Sequence, residues 1–173
     1  MDLFTVPTIT GRVLYVFVVL HHARRRIVHF NVTAHPTAEW VVRQLRDAFP
    51  FDSAPRFLIH DNDSIFGEAV ARCLRGMGIT QVLTLLGSPW QNAYAERVIG
   101  TMRRECLDHV IALSESHLIR VVDEFLAYYH ASRCHQSLGR DSPCGRKPEP
   151  AGDRPIISEA LVGGLHHRYR RAA

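Results

Sequence analysis

The sequence predicts a mixed α/β fold in which helices cover both faces of a five-stranded sheet whose first three strands are antiparallel. Three strand-like segments follow one another at the front of the chain, before any helix-like segment. Helix-like and strand-like segments then alternate, which is typical of a sheet covered by helices. Hydrophobic residues make up 46% of the chain and charged residues 22%, so a folded core is expected rather than disorder.

The first three segments each have a strand signature. Residues 13–20 read VLYVFVVL, a β-branched and aromatic run without alternation that is typical of a strand buried on both faces. Residues 3–10 are also strand-like, and Pro7 indicates a bulge or an early end there. Gly11 begins a predicted tight turn, and residues 27–32 (IVHFNV) alternate as a third strand. Together these segments predict an antiparallel meander.

The remaining elements are bounded mostly by Pro and Gly. Pro36 precedes the first predicted helix, Pro50 ends it, and Gly78 closes the second. Two short strands are predicted at residues 56–60 and 80–85. The helical segments are residues 38–49, residues 64–77, the segment that begins at residue 88, and residues 118–131. From Cys144 onward Pro, Gly and Arg are frequent, and we expect a loose tail.

Charge and length favour a single globular domain with a weak preference for an anionic partner. The chain has 173 residues and a formal net charge of +4, and its pI is about 9.1. The arginines are clustered at residues 24–26, at 103–104 and between 168 and 171. Such clusters are usually solvated patches, so charge alone does not establish a nucleic-acid partner.

Cysteine usage and hydropathy favour a cytoplasmic protein without a membrane span. The four cysteines have no metal-type or disulfide-type spacing and are predicted to be reduced thiols. No signal peptide is expected because an acid follows Met1, and the apolar run of residues 13–20 is too short to cross a bilayer. His130, Cys134 and His135 could form a zinc cluster, but polar contacts at a helix end are the favoured interpretation.

The segment that begins at Ser88 reads SPWQNAYAERVIGTMRREC. Ser88 and Gln91 fit a capping box, with a proline at the first helical position. At 100° per residue, Glu96 lies beside the apolar stripe that faces the sheet. Gly100 leaves room on that flank for a bulky ligand. Glu96 is therefore either a salt-bridge partner of Arg103 or a ligand.

Two further acids stand at strand ends. Asp61 directly follows the strand at residues 56–60, and acids at such positions point into the crevice where ligands bind. Asp2 begins the first strand and lies beside Asp61 if the first and fourth strands are neighbours. The helix after the fifth strand could then bring Glu96 to both. Three carboxylates without Cys or His select Mg²⁺ or Mn²⁺, and two such ions can activate a nucleophile and stabilise the leaving oxygen of a phosphodiester.

Three motifs resemble the catalytic core of the DDE integrase and transposase superfamily, and most closely that of insertion-sequence transposases. They are HDNDSIF, SPWQNAYAERVIGTMRRECLDH and YYHASRCHQSL, and the resemblance covers about residues 2–145. It implies a ribonuclease H-like fold in which Asp2, Asp61 and Glu96 are the catalytic acids and hold two Mg²⁺ or Mn²⁺ ions. Asn92 would border the site. Asp63 departs from the family pattern: it is an acid of the loop, an outer-shell partner of the metal, or a replacement for Asp61.

The resemblance also implies an activity and its partners. Water activated at the acids would nick DNA at an element end, and the freed 3′-OH would attack target DNA in the same site. Arg103, Arg104 and Lys147 would hold backbone phosphates without reading the sequence. Homo-oligomers, a separate DNA-binding domain and a nucleoid-associated bacterial location are further expectations from the family.

The short run before Asp2 is a departure from the family pattern, since the first acid would stand at the very start of its strand. We therefore expect residues 1–145 to be an N-terminally truncated catalytic core and residues 146–173 to be a Pro/Gly/Arg-rich tail. The alternative is a catalytically inactive remnant that binds DNA or a full-length partner. A resolvase or ribonuclease H-type nuclease ranks last. GGLHHRYRR in the tail is either an added strand or a phosphate-contacting segment.

Overall fold

A computed structural model describes residues 1–85, 88–146 and 151–172. The predicted order of three strands followed by alternating helices and strands is confirmed up to residue 131. The described strands and α-helices, in chain order, are β1 (Asp2–Pro7), β2 (Val13–His21), β3 (Arg26–Thr33), α1 (Ala38–Ala48), β4 (Phe57–His60), α2 (Glu68–Gly76), β5 (Thr80–Leu83), α3 (Ala93–Glu105), α4 (Glu115–Ala131), β6 (Ile156–Leu161) and β7 (His166–Arg171).

The five predicted strands form two sheets in the described structure rather than one continuous sheet. Strands β1, β2 and β3 make the expected antiparallel meander, whereas β4 and β5 pair with each other in parallel. Pairing of β1 with β2 begins at Asp2 opposite Val18, although β2 continues to His21. Strand β1 therefore has little backbone alongside β4. The Met1 ammonium nevertheless donates a hydrogen bond of 2.7 Å to the Ile59 carbonyl, so the two sheets meet at this point.

Helices cover both faces of the meander, as predicted. Alternate residues of β2 enter two separate hydrophobic clusters: Val16 and Val18 face the cluster built with α3 and α4, while Phe17 and Val19 face the cluster built with α1 and α2. All four side chains are buried, which is why β2 shows an unbroken apolar run in the sequence. Burial of each such side chain contributes about 1.5–3 kcal/mol to folding.

Capping side chains set the starts of two helices. The Thr37 hydroxyl accepts a hydrogen bond from the Trp40 amide at the start of α1, and the Ser114 hydroxyl accepts one from the His117 amide at the start of α4. Helix α4 therefore begins at Glu115, three residues before the predicted start. Satisfying these free amides offsets the cost of ordering the first turn.

The capping box predicted at Ser88 is wrong. Residues Pro89–Asn92 form a 3₁₀ turn without a side-chain cap, and α3 begins at Ala93. The side chain of Gln91 does not reach back to Ser88, because its Oε1 accepts a hydrogen bond of 2.8 Å from the Leu85 amide. This turn leads directly into α3, the helix that contains Glu96.

The expected loose tail is also wrong for residues 156–171. Strands β6 and β7 form an antiparallel hairpin with its turn at Val162–Gly164. Val162 is buried in the cluster under α4, and the Gly163 amide donates a hydrogen bond of 3.0 Å to Glu124 Oε1. In the described part of the chain, none of the helices is long and apolar enough to cross a membrane.

Candidate active site and basic groove

Asp2 lies at the centre of the candidate site and is half-buried. Its Oδ1 accepts a hydrogen bond of 2.8 Å from the Leu3 amide. The Asn92 amide group donates to Asp2 Oδ2 and to the Met1 carbonyl, both at 3.3 Å. Asn92 is 5% exposed, and its Oδ1 has no hydrogen-bond partner in the described structure. The turn before α3 is thus attached directly to the first residues of β1, and the site-bordering role of Asn92 stays a prediction.

Asp61 follows β4 directly and is also half-buried. Its Oδ1 accepts a hydrogen bond of 3.3 Å from the Asp63 amide. Asp63 itself is exposed, and its carboxylate caps the next turn by accepting hydrogen bonds from the Ser64 hydroxyl and the Ile65 amide. These contacts favour the interpretation of Asp63 as an acid of the loop over its alternatives as a metal partner.

The three predicted acids interact electrostatically although they are far apart in the sequence. The pKa of Asp2 is raised from its ordinary 3.8 to about 6, mainly by burial and also by the negative charges of Asp61 and Glu96, while the Leu3 amide and the Met1 ammonium oppose this shift. Burial also lowers the pKa of the Met1 ammonium to about 6. Desolvation and neighbouring like charge both disfavour a carboxylate. Around Asp2, at the start of β1, the nearby positive charge therefore does not balance the carboxylates.

Although the three acids are close enough for their charges to interact, they do not form a set of metal ligands in the described structure. Among the described residues, no group of three or more His, Cys, Asp or Glu side chains is placed to hold a metal ion. Glu96 is exposed in the first turn of α3, and within the described structure it forms no ion pair. The roles of Asp2, Asp61 and Glu96 as metal ligands therefore stay predictions.

The alternative in which Glu96 is the salt-bridge partner of Arg103 is wrong. Arg103 is half-buried against β1, where its guanidinium donates a hydrogen bond of 3.0 Å to the Thr5 carbonyl and lies 5.4 Å from the centre of the Phe4 ring. This arginine anchors α3 to the sheet. Its predicted contact with DNA phosphate would require it to leave that position.

Glu96 instead lines a large open groove between α3 and the segment that follows α4, which we call the basic groove. The cavity has a volume of about 950 Å³, and its polar lining is dominated by arginine side chains. Its four arginines are Arg25, Arg97, Arg104 and Arg133. Four guanidinium groups and a single carboxylate give the groove a net positive charge, which suits a ligand that carries several negative charges.

Arg104 occupies the space predicted for a ligand beside Gly100. A Cβ atom at Gly100 would lie only 3.0 Å from Arg104 Nη1. The glycine therefore lets the guanidinium fold back over the helix. The predicted role of Arg104 in holding phosphate stays a prediction, and Lys147 lies outside the described residues.

The sequence analysis missed Arg25, Arg97 and Arg133 as groove residues. Arg25 packs over the Tyr94 ring at 3.8 Å, and its carbonyl accepts a hydrogen bond of 3.1 Å from the Tyr129 hydroxyl. Arg133 forms a bidentate ion pair with Glu105, at 2.6 and 2.7 Å. These contacts join elements distant in sequence, so spacing along the chain gave no sign of them, although Arg97 does lie one residue after Glu96.

The His and Cys residues at the end of α4 have structural contacts, as the favoured interpretation predicts. His130 Nε2 accepts a hydrogen bond of 3.1 Å from the Ile27 amide. His135 is buried against the Tyr129 ring, and burial together with the Arg133 charge lowers the pKa of His135 to about 4. A neutral imidazole at this position avoids adding a buried charge beside Arg133.

Comparison with known proteins connects this geometry to a family. Residues 77–143, from the end of α2 to the segment after α4, match the family model described as integrase core domain. The resemblance to DDE integrases and insertion-sequence transposases predicted from the sequence is confirmed. The matched segment includes Glu96 and Asn92 but neither Asp2 nor Asp61.

Two curated relatives extend the match across most of the chain. The insertion element IS476 uncharacterized 39.2 kDa protein of Xanthomonas euvesicatoria is 30% identical over 152 residues, which covers 80% of this chain and 44% of the relative. The insertion element IS407 uncharacterized 31.7 kDa protein of Burkholderia multivorans is 29% identical over 126 residues, covering 71% of this chain and 46% of the relative. The chain thus spans less than half the length of either protein.

The fold has a counterpart among solved structures. A chain in the cryo-EM structure of the simian T-cell lymphotropic virus intasome in complex with PP2A regulatory subunit B56 gamma matches with a TM-score of 0.69. The match covers 97% of this chain and 64% of the other, at 11% sequence identity. At that identity the likeness concerns the fold.

Proposed function

We propose that this integrase core is the catalytic part of a DDE-type transposase that cuts DNA strands and joins them to target DNA with divalent metal ions. One observation carries the proposal: the ends of β1, β4 and α3 meet. The Met1 ammonium contacts Ile59 in β4, and Asn92 at the start of α3 contacts Asp2 in β1. These contacts lie beside all three acids that the family resemblance marks as catalytic.

The donor chemistry at this point suits Mg²⁺ or Mn²⁺. Asp2, Asp61 and Glu96 would hold two ions through hard carboxylate oxygens, without thiolate or imidazole ligands. Bound ions supply an activated oxygen nucleophile and charge stabilisation for the leaving oxygen of a phosphodiester. The raised pKa of Asp2 fits this role, because a bound cation would offset both the burial and the like charges that disfavour its ionised form. The exposed Glu96 would turn toward the other two acids to complete the set.

The residues around the acids position them without taking part in bond cleavage. Asn92 holds Asp2 Oδ2, so this carboxylate keeps one orientation relative to α3. Asn92 Oδ1, which is buried beside Asp2 and has no partner among the described residues, is an acceptor for a hydrogen bond from a bound water or a substrate group. The hydrogen bond from Asp63 to Asp61 Oδ1 fixes the second carboxylate at the end of β4 in the same way.

Substrate DNA would enter along the basic groove, which begins at Glu96. The guanidinium groups of Arg97 and Arg104 form no hydrogen bonds or ion pairs with the described residues, so they are available to backbone phosphates. Such contacts position a duplex without reading its sequence. Element ends and target DNA are the proposed substrates, and assembly of several copies on paired ends is the proposed working state.

A nicking assay on a supercoiled plasmid tests the proposal. In Mg²⁺, we expect the Glu96→Gln variant to cut at least about 100-fold more slowly than wild type, since one metal ligand is lost. Glu39→Gln is the matched control, because Glu39 is an exposed glutamate in the first turn of α1, away from the acids. Equal cutting by wild type and Glu96→Gln would remove Glu96 from the mechanism.

A second candidate function is a binding module without catalysis. It is favoured by the lack of an assembled metal-ligand group among the described residues. In this case the chain binds DNA in a salt-dependent way, and neither Mg²⁺ nor Mn²⁺ produces nicks. The plasmid assay separates the two candidates, because a binding module shifts the plasmid in a gel without converting it to the open circular form.

A further inference from the structure

A second cavity lies beside the basic groove, and we call it the C-terminal pocket. It has a volume of about 480 Å³ and lies between the end of α4, the segment after it and strand β7. Three arginines from these three places line it: Arg133, Arg146 and Arg168. Nothing in the proposed catalytic mechanism uses this pocket.

The pocket carries an excess of positive charge. Its described lining contains three arginines and one acid, Glu105, which leaves a formal charge of +2 when the histidines are neutral. Glu105 already accepts hydrogen bonds from Nε and Nη2 of the Arg133 guanidinium. The Arg146 side chain contacts the Cys134 sulfur at 3.5 Å, a weak acceptor, and the Arg168 side chain forms no hydrogen bond or ion pair with the described residues. Within the described part of the chain, these two guanidinium groups therefore have no anionic partner.

The strand that supplies Arg168 is firmly docked. Two residues before it, His166 stacks on the Tyr128 ring with a centroid distance of 4.2 Å and an interplanar angle of 9°. The same imidazole forms a hydrogen bond of 2.7 Å with the Glu105 carbonyl, so β7 is attached to the last residue of α3. Arg168 stands two residues further along this docked strand and lines the pocket.

The C-terminal pocket is continuous with the basic groove. Arg133 and Cys134 line both cavities. A path bordered by arginines thus runs from Glu96 past Arg133 to Arg168. Arginine side chains along the wall of an open groove are typical of surfaces that follow a nucleic-acid backbone.

We propose that the C-terminal pocket holds a backbone phosphate of the DNA that lies in the basic groove, so that the β6–β7 hairpin is part of the DNA-binding surface. Arg146 and Arg168 grip the phosphate oxygens from opposite walls, and planar guanidinium groups suit this geometry. The contact reads no base sequence. This inference rests on the proposed function, because it takes DNA to be the ligand of the groove.

The test is DNA binding measured by fluorescence anisotropy in EDTA, with a labelled duplex and a series of salt concentrations. We expect Arg168→Gln to bind about three- to tenfold more weakly than wild type near 0.1 M salt, as loss of one charged hydrogen-bonding contact implies. The slope of log K against log salt should fall by about 0.9, the value for one released phosphate contact. Arg146→Gln, on the other wall, should reproduce both changes.

Arg170→Gln is the matched control. Arg170 is two residues further along the same strand and loses the same charge on substitution, but it is paired with Glu159 at 3.5 Å. Its affinity and slope should stay close to those of wild type. Equal losses in Arg168→Gln and Arg170→Gln would show an effect of net charge alone and overturn the proposal, provided that circular dichroism melting shows all variants folded.

Two further outcomes are decisive. If inorganic phosphate at constant ionic strength removes the difference between wild type and Arg168→Gln, the free ion competes with the DNA phosphate for the pocket, as the proposal predicts; a difference that saturating phosphate leaves unchanged would overturn it. If Arg168→Gln binds duplex DNA as wild type does, the hairpin is not part of the surface. Because EDTA prevents metal-dependent cutting, these results do not depend on whether Glu96 is catalytic, so a failure here is distinguishable from a failure of the proposed activity.

Discussion

The acidic end of the sheet and the basic groove differ in how the fold holds their charged groups. Around Asp2, the acid and the Met1 ammonium are withdrawn from water, and both have pKa values shifted toward the neutral form. In the basic groove, Arg97 and Arg104 are exposed at the surface of one helix. The first region depends on strand ends that meet in space, whereas the second depends on helix surfaces and a docked hairpin.

Because of this difference, we expect substitutions at the acidic end to change the stability of the fold and substitutions in the basic groove to change ligand binding. Charge held out of water is costly unless a partner offsets it, so the acidic end is destabilised until a counter-ion is present. Exposed arginines cost the fold little and their loss weakens binding instead. One groove residue breaks this pattern, because Arg133 is largely buried and forms a bidentate pair with Glu105. Substitutions in the two regions should therefore change different measurable quantities.

The largest stability effect is expected at Asp2. Its folded pKa is raised above its unfolded value, so the folded state holds the extra proton between pH 4 and 6 and loses relative stability as the pH rises through that range. Replacement by Asn removes the charge. In metal-free buffer we expect Asp2→Asn to increase the free energy of unfolding by about 2–3 kcal/mol at pH 7.5, and by much less at pH 4. Urea unfolding at the two pH values measures this.

Asp47→Asn is a suitable control, since Asp47 is an exposed acid of α1. It should leave the pH dependence of wild type in place. A lower stability for Asp2→Asn than for wild type at pH 7.5 would contradict the account, because it would mean that the carboxylate stabilises the metal-free fold.

A smaller and opposite effect is expected at Arg133. Its ion pair with Glu105 is bidentate, and the two side chains are 23% and 28% exposed. Arg133→Gln would leave the half-buried Glu105 without its partner, and we expect the free energy of unfolding to fall by about 2 kcal/mol at neutral pH. The Arg133 pair lowers the pKa of Glu105, so the loss should diminish as the pH falls and Glu105 is protonated.

Arg75→Gln provides the comparison for this prediction. Arg75 pairs with Glu68 at 2.7 Å, but the two side chains are 61% and 66% exposed, so the change in unfolding free energy should stay below about 0.5 kcal/mol. Equal effects of the two substitutions in thermal or urea unfolding would show that the Arg133 pair is no more than a surface contact.

Local patterns predicted the elements that carry the acids. The β-branched run of β2, the strand before Asp61 and the apolar stripe of α3 all follow from burial that repeats with the period of the element. The ends of these elements then placed Asp2, Asp61 and Glu96 in one region. Continuity of the sheet was not predictable, because it depends on how many residues of β1 lie beside β4.

Contacts between distant elements could not be predicted from the sequence. The partner of Arg133 is 28 residues away, and the role of Arg103 depends on the carbonyl of Thr5. Strand β7 lies within GGLHHRYRR, for which an added strand is one of the two predicted alternatives, so that alternative is confirmed. Strand β6 was not predicted, because it is exposed almost throughout and shows no apolar alternation. Docking of the β6–β7 hairpin depends on a single buried residue in the turn, Val162, and on the stacked His166.

Binding of Mn²⁺ to the metal-free protein, followed by electron paramagnetic resonance, tests most directly whether the three acids converge on metal ions. The account predicts saturable binding that is lost or strongly weakened in both Asp2→Asn and Glu96→Gln, while Glu39→Gln binds as wild type does. Glu96→Gln binding Mn²⁺ with the affinity and stoichiometry of wild type would contradict the account, because α3 would then contribute nothing to the site.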